Sequence, residues 1–285
     1  MKFLNKLKIK NIRKKFNLSP EELNWYELKK QGLEKNKDKI ETLFLGSSHG
    51  DIGINTNAIP DCKGYNLCFG SQDLYYSYEL YKKYADFLPN LKNICLTYSV
   101  FSSGYELQKT INKRFTYYYK HIFDIDFKYS PEFGSCEKEL AFINRFVNVY
   151  LPKGFTGYKE SISPFNYDIA LRDVKAHLKN AFRNNNQEIY VQKISELAKE
   201  KGHNLYVIIP PHSPEYRKQS KKEALNAGYD YDKKFEKLYD LKVKILNYYN
   251  NENFSDDDFM DWEHLIPSGA IKFTNIFIND TINKS

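Results

Sequence analysis

The chain has 285 residues, 41% hydrophobic and 28% charged, with a formal net charge of +7. That length can bury a sizeable core, as one large domain or two small ones, and an aromatic share of 16% excludes a disordered polar chain. Of the 43 basic residues, seven lie in residues 1–15 (Lys2, Lys6, Lys8, Lys10, Arg13, Lys14 and Lys15) with no acid among them, which leaves 36 bases against 36 acids. The body of the chain is formally neutral, which argues against a basic nucleic-acid-binding face.

Within residues 1–16, Phe3, Leu4, Leu7, Ile9, Ile12 and Phe16 interleave with lysines. As a helix, this arm carries a rough apolar stripe beside a basic face. The pattern fits peripheral contact with an anionic membrane surface, with a solvated terminal helix as the plainer alternative. No stretch is long and apolar enough to span a bilayer. The start has no continuous apolar h-region and no small-residue cleavage site, which disfavours a secretory signal. Cys62, Cys68, Cys95 and Cys136 show neither CxxC nor Cys/His metal spacing. Cys68 and Cys95 read as small core residues, and reduced thiols in the cytoplasm are the simplest account.

A helix is expected over 20–35, started by Ser19-Pro20-Glu21-Glu22. Residues 40–46 (IETLFLG) form the first strand-like run and 65–69 (YNLCF) the second. Residues 73–88 have helical spacing, with Asp73 at the start and Pro89 as a stop. Residues 93–101 are the third strand candidate. Residues 186–202 form an amphipathic helix closed by Gly202, and 204–211 (NLYVIIPP) a fourth strand stopped by prolines. Helices are then expected over 232–250 and 268–280. Strands alternating with helices at this spacing imply βαβ units and a parallel sheet. Residues 104–185 break the pattern and read as an aromatic-rich insertion, a lid or a subdomain. Its Phe115, Tyr117, Tyr118, Tyr119 and Phe123 fit an internal core better than sugar stacking. The chain thus divides into a basic arm and helix, 1–39, and a domain, 40–285, that carries the insertion.

Two constellations are suited to chemistry. Gly46-Ser47-Ser48-His49-Gly50 follows the first strand, at the sheet edge where open α/β folds bind ligands. A serine there needs a base from elsewhere in the chain. Asp261-Trp262-Glu263-His264, ahead of the last helix, spaces a carboxylate and an imidazole three apart, so that the first can orient the second. Pro210-Pro211-His212-Ser213 ends the fourth strand and borders the same crevice, with Tyr216 and Arg217 close behind. Asp256, Asp257 and Asp258 are consecutive, so their side chains diverge, and they read as a helix start or solvated loop. His49 and Asp51 have no third partner at metal spacing, so no metal site is expected.

With Gly46-Ser47-Ser48 in the place of Gly-Asp-Ser, and Asp261-x-x-His264 followed by Leu265, Gly269 and Ala270, the sequence resembles the SGNH (GDSL-like) hydrolase family. The resemblance covers about 40–102 and 200–280. It implies an α/β three-layer sandwich with a parallel, flavodoxin-like sheet. It also implies Ser48 as nucleophile, His264 as base and Asp261 as its orienting carboxylate. The oxyanion hole would use the backbone N–H of Ser48 and of Gly70 or Ser71, after a matching Asn66. The family's third-block asparagine is missing from 97–104, where Tyr98, Ser99, Ser102 or water would take its place. His49, Tyr98, Ser99 and His212 are the candidate substrate contacts.

The implied activity is that of a serine esterase or O-acyltransferase without a cofactor, save an acyl donor such as acyl-CoA for transfer. The substrate expected is an acyl ester of a bacterial surface carbohydrate. A non-catalytic glycan-binding or scaffold protein on the same fold is the alternative. Deleting residues 1–15 is expected to abolish binding to anionic liposomes in a flotation assay. Equal flotation of the shortened chain would reject the membrane role of the arm.

Overall fold

The computed structural model describes residues 19–131, 153–155 and 165–281. The basic stretch of residues 1–16 and Cys136 lie outside them. Five parallel strands form one sheet: β1 (Thr42–Leu45), β2 (Gly64–Asn66), β3 (Asn93–Thr97), β4 (Asn204–Ile209) and β5 (Ile245–Asn247), in the order β2-β1-β3-β4-β5. This is a flavodoxin-like order, in which the chain winds outward in both directions from β1. The longer helices are α1 (Pro20–Lys35), α3 (Leu74–Tyr84), α4 (Phe115–Phe123), α5 (Tyr167–Ala181), α6 (Ile189–Lys201), α7 (Pro214–Asn226) and α9 (Pro267–Asp280). The short α2 (Ser48–Gly53) follows β1, and α8 (Glu236–Tyr239) precedes β5.

Alternation along the strands builds three layers. Leu43, Leu45, Ile94, Leu96, Val207 and Ile209 join a core with residues of α1, α3, α4, α5 and α6. Phe44, Cys95 and Ile208 point the other way and pack with Ala270, Phe273 and Phe277 of α9. Both faces are covered, so the central strands read as continuous apolar runs. Cys68 and Cys95 are free and buried, as expected. No helix among the described residues is long and apolar enough to cross a membrane.

The helix ends follow local chemistry. Ser19 accepts from the Glu22 N–H at 3.3 Å, and Asp73 from the Tyr76 N–H at 3.0 Å. Gly202, at φ +73°, ends α6. One expectation fails: 232–250 is not a single helix. Lys242 takes a positive φ of 53°, and Ile245–Asn247 pairs with Val207–Ile209 as the edge strand β5. Sheet pairing at the open side of β4 overrides the helical spacing.

The described parts of 104–185 share the main core rather than forming one of their own. Tyr118, Tyr119 and Phe123 of α4 are buried with Tyr26 of α1, and the Tyr76 and Tyr119 rings stack at 4.2 Å. The Asn66 N–H donates to the Lys153 carbonyl at 3.0 Å, so 153–155 lies beside β2.

Gly46 ends β1 at φ +134°, where a Cβ would sit 1.9 Å from Thr97 Oγ1 and 2.8 Å from the Thr97 carbonyl oxygen. Both the dihedral and the space require glycine. Gly46→Ala is therefore expected to cost about 2–4 kcal/mol of stability, read as a lowered urea midpoint.

Candidate active site

β1 lies where the strand order reverses, and the chain leaving it runs Gly46, Ser47, Ser48 into α2. Ser47 and His49 are buried, whereas Ser48 is half-buried. The nucleophile candidate thus stands at the sheet's carboxyl edge, the ordinary ligand position of such folds.

The opposing turn is built by its own backbone. Phe259 and Leu265 form an antiparallel bridge, and the Met260 N–H donates to the His264 carbonyl at 2.9 Å. Asp261 Oδ1 accepts the N–H groups of Glu263 at 2.9 Å and His264 at 2.7 Å. This Asx-type turn leaves Oδ2 to accept from His264 Nδ1 at 2.8 Å. The Nε2 of the same ring stands 2.9 Å from Ser48 Oγ. Three residues separated by up to 216 positions form one line, with distances suited to proton transfer.

Burial alone would push the Asp261 carboxyl up, but its bond to His264 and the two turn N–H groups hold it down to about 2. Burial likewise works against the charged His264 ring. The Asp261 bond and charge, with the Glu263 and Asp173 carboxylates, outweigh it and raise His264 to about 9.

Beneath this line lies a second, buried network. Glu263 Oε2 is 3.0 Å from His49 Nε2 and 3.1 Å from His177 Nδ1 of α5. His49 Nδ1 meets Ser99 Oγ at 2.7 Å, and Ser99 Oγ meets Ser47 Oγ at 3.0 Å. His177 Nδ1 also lies 2.9 Å from the Tyr216 hydroxyl. Burial holds the His49 ring down to about 3 and His177 to about 4, so both are neutral near pH 7. Ligand atoms of His49, His212 and Glu263 fall within 4.8 Å of one another, a convergence that the sequence spacing hides. Both nitrogens of His49 are nevertheless already bonded, to Ser99 and Glu263.

The four substrate contacts expected from the sequence, His49, Tyr98, Ser99 and His212, all lie buried with partners inside the protein. Tyr98 is buried and its hydroxyl donates to Glu188 Oε1 at 2.7 Å. Ser99 and His49 are buried in the lower network. His212 is buried, with Nδ1 3.1 Å from the Pro210 carbonyl and its ring against Tyr216 and Tyr249. His49 and Ser99 adjoin the site from below, and the His212 ring lies edge-on to His49 at 5.0 Å. Ser102 Oγ accepts the Ser99 N–H at 2.9 Å and is likewise engaged.

Asn66 is a brace: its Nδ2 donates to the carbonyls of Gly50 and Ile54, at 2.9 and 2.8 Å, and so fixes α2. Next to it, the Phe69 N–H donates to the Gly46 carbonyl at 3.0 Å, which sets the 69–71 turn alongside the Ser48 turn. Gly70 has open space around its α-carbon. Ser71 takes φ +61° and accepts from Asn112 Nδ2 at 2.8 Å. Asp256–Asp258 form a 3-10 turn with a Ser255 capping box, and Lys272 pairs with Asp258 at 2.6 Å.

Sequence reasoning missed Glu263 and His177. Glu263 had a signal, its place between Asp261 and His264. His177 had a weaker one, four residues after Asp173 and so on the same face of a helix.

No protein-family model matches the chain, and no curated protein matches it. Among solved structures it is similar to a crystal structure from Bacteroides fragilis NCTC 9343 described as a "putative acylhydrolase", at 14% identity and a TM-score of 0.40, covering 91% of this chain and 97% of that one. The functional reading rests on the geometry of the site.

The His264 ring protons are expected to titrate near pH 9 by NMR, and Asp261→Asn to bring that midpoint back toward 6.5. Because the folded value is raised, the stability this ring contributes is complete below about 6.5 and is lost as pH climbs through about 9. A wild-type midpoint at or below 6.5 would contradict the arrangement.

Proposed function

We propose that this chain is a serine-dependent acyl hydrolase or acyltransferase of SGNH type. The observation that carries the reading is the continuous line from Ser48 Oγ to His264 to Asp261, at 2.9 and 2.8 Å, on the carboxyl edge of a parallel sheet.

With His264 in its neutral form, which prevails above about pH 9, Ser48 Oγ attacks an ester carbonyl while its proton passes to His264 Nε2. Asp261 keeps the Nδ1–H tautomer and stabilises the imidazolium. The tetrahedral oxyanion is met by the backbone N–H of Ser48, which lies in the first turn of α2 and so has no intrahelical acceptor, and by that of Gly70 or Ser71. The alcohol leaves with the proton from His264. Water, or an acceptor hydroxyl in the transfer reaction, then attacks acyl-Ser48 with His264 again as base.

The substrate proposed is an acyl ester of a bacterial surface carbohydrate, on the strength of the sequence resemblance. Transfer in place of hydrolysis requires an acyl donor such as acyl-CoA. In this reading the basic arm brings a cytoplasmic enzyme to the inner membrane face, where lipid-linked glycans are assembled.

A fluorophosphonate probe is expected to label the wild-type chain at Ser48. Ser48→Ala should lose labelling, and with it ester hydrolysis by on the order of a thousandfold or more. A Ser48→Ala chain that labels or hydrolyses like wild type would refute the reading.

A further inference from the structure

Glu263 is not part of the line to Ser48, yet it is the most heavily shared carboxylate near it. Its side chain is only 11% exposed, and Oε2 stands against two imidazoles at 3.0 and 3.1 Å. One of them, His49, follows the nucleophile directly on α2. The other, His177, comes from α5, in the segment between β3 and β4. A single carboxylate therefore joins the helix carrying Ser48, the turn carrying His264 and the inserted segment. The bonds run on from His49 to Ser99 and from Ser99 to Ser47, so the polar line returns to the β1 turn. Burial pushes the Glu263 carboxyl up, against the pull of the His177 and His264 rings; in its ionised form it is a charge that solvent and salt screen weakly.

Resting on the reading of Ser48 as nucleophile, we propose that Glu263 is a positioning residue with two effects. Through His49 and His177 it holds the Asp261–His264 turn against α2 and α5. Its charge favours the imidazolium that His264 becomes when Ser48 gives up its proton.

The groups facing His264 are Asp261 and Glu263 from its own turn, Ser48 and His49 from α2, Asp173 and His177 from α5, and His212 after β4. Burial keeps the His49, His177 and His212 rings neutral, so the field at His264 comes from the three carboxylates. Asp261 acts by direct contact. Glu263 acts by its charge and by fixing the turn.

Glu263→Gln retains the shape and the hydrogen-bonding atoms and removes the charge. The measurement is the rate of Ser48 phosphonylation by a fluorophosphonate as a function of pH, with thermal melting alongside. In that reaction the Ser48 Oγ–P bond forms, the P–F bond breaks, fluoride leaves and the hydroxyl proton goes to His264. The expected result is a midpoint moved to lower pH by on the order of one unit, with a lower plateau rate. His177→Gln keeps the carboxylate, so it should lower the plateau and leave the midpoint in place. An unmoved midpoint in a normally melting Glu263→Gln protein overturns the proposal.

If that variant does not melt cooperatively, Glu263→Asp takes its place. Its retained charge must hold the wild-type midpoint while its shorter reach lowers the plateau, and a wild-type plateau overturns the positioning role. A wild-type chain without Ser48-dependent labelling removes the enzyme reading itself, and this proposal with it. That outcome is told apart at once by the Ser48→Ala control.

Discussion

Among the described residues, the tightest backbone constraint is the passage of the end of β1 past Thr97. No side chain fits at Gly46, and its positive φ turns the chain sharply at the strand's end. That turn orders the site around it. It places Ser47 downward, within reach of Ser99, and starts α2 at Ser48 on the open edge of the sheet. Asn66 then ties the carbonyls of α2 to the end of β2, so the nucleophile candidate stands on a braced helix rather than on a loop. Rigid support of this kind is what a reaction sensitive to displacements of an ångström requires.

The turn at 259–265 meets this edge with two carboxylates in opposite electrostatic situations. Asp261 has a cation-forming partner and two backbone donors, and its acidity is strengthened. Burial raises the Glu263 carboxyl, against the pull of the neighbouring His177 and His264 rings. Four of the six histidines of the chain, His49, His177, His212 and His264, gather here, and His264 alone among them is shifted upward. Environment, not residue type, separates their roles.

Much of this was legible in the sequence. β1, β3 and β4 announce themselves as apolar runs because both of their faces are covered; the strand-end and pre-helix placements marked out the 46–50 and 261–264 segments, and the resemblance singled out Ser48, Asp261 and His264 within them. β5 was hidden because an edge strand of three residues, preceded by alternating lysines, looks like part of a helix until its partner is known. The sheet-edge rule placed Tyr98, Ser99 and His212 at the right end of their strands. It says nothing of which way a side chain points, and theirs turn inward. Glu263 was passed over because glutamates are seldom buried, and only the arrival of His177 from a distant segment makes burial tolerable.

His177 gives that inserted segment an inherited obligation. A loop that merely roofs a pocket can be exchanged, lengthened or lost as substrates change. This one contributes an imidazole to the floor, against a carboxylate of the opposite turn. Replacing the segment wholesale would strand a buried carboxylate with half of its partners. A change at His177 therefore calls for a compensating change at Glu263.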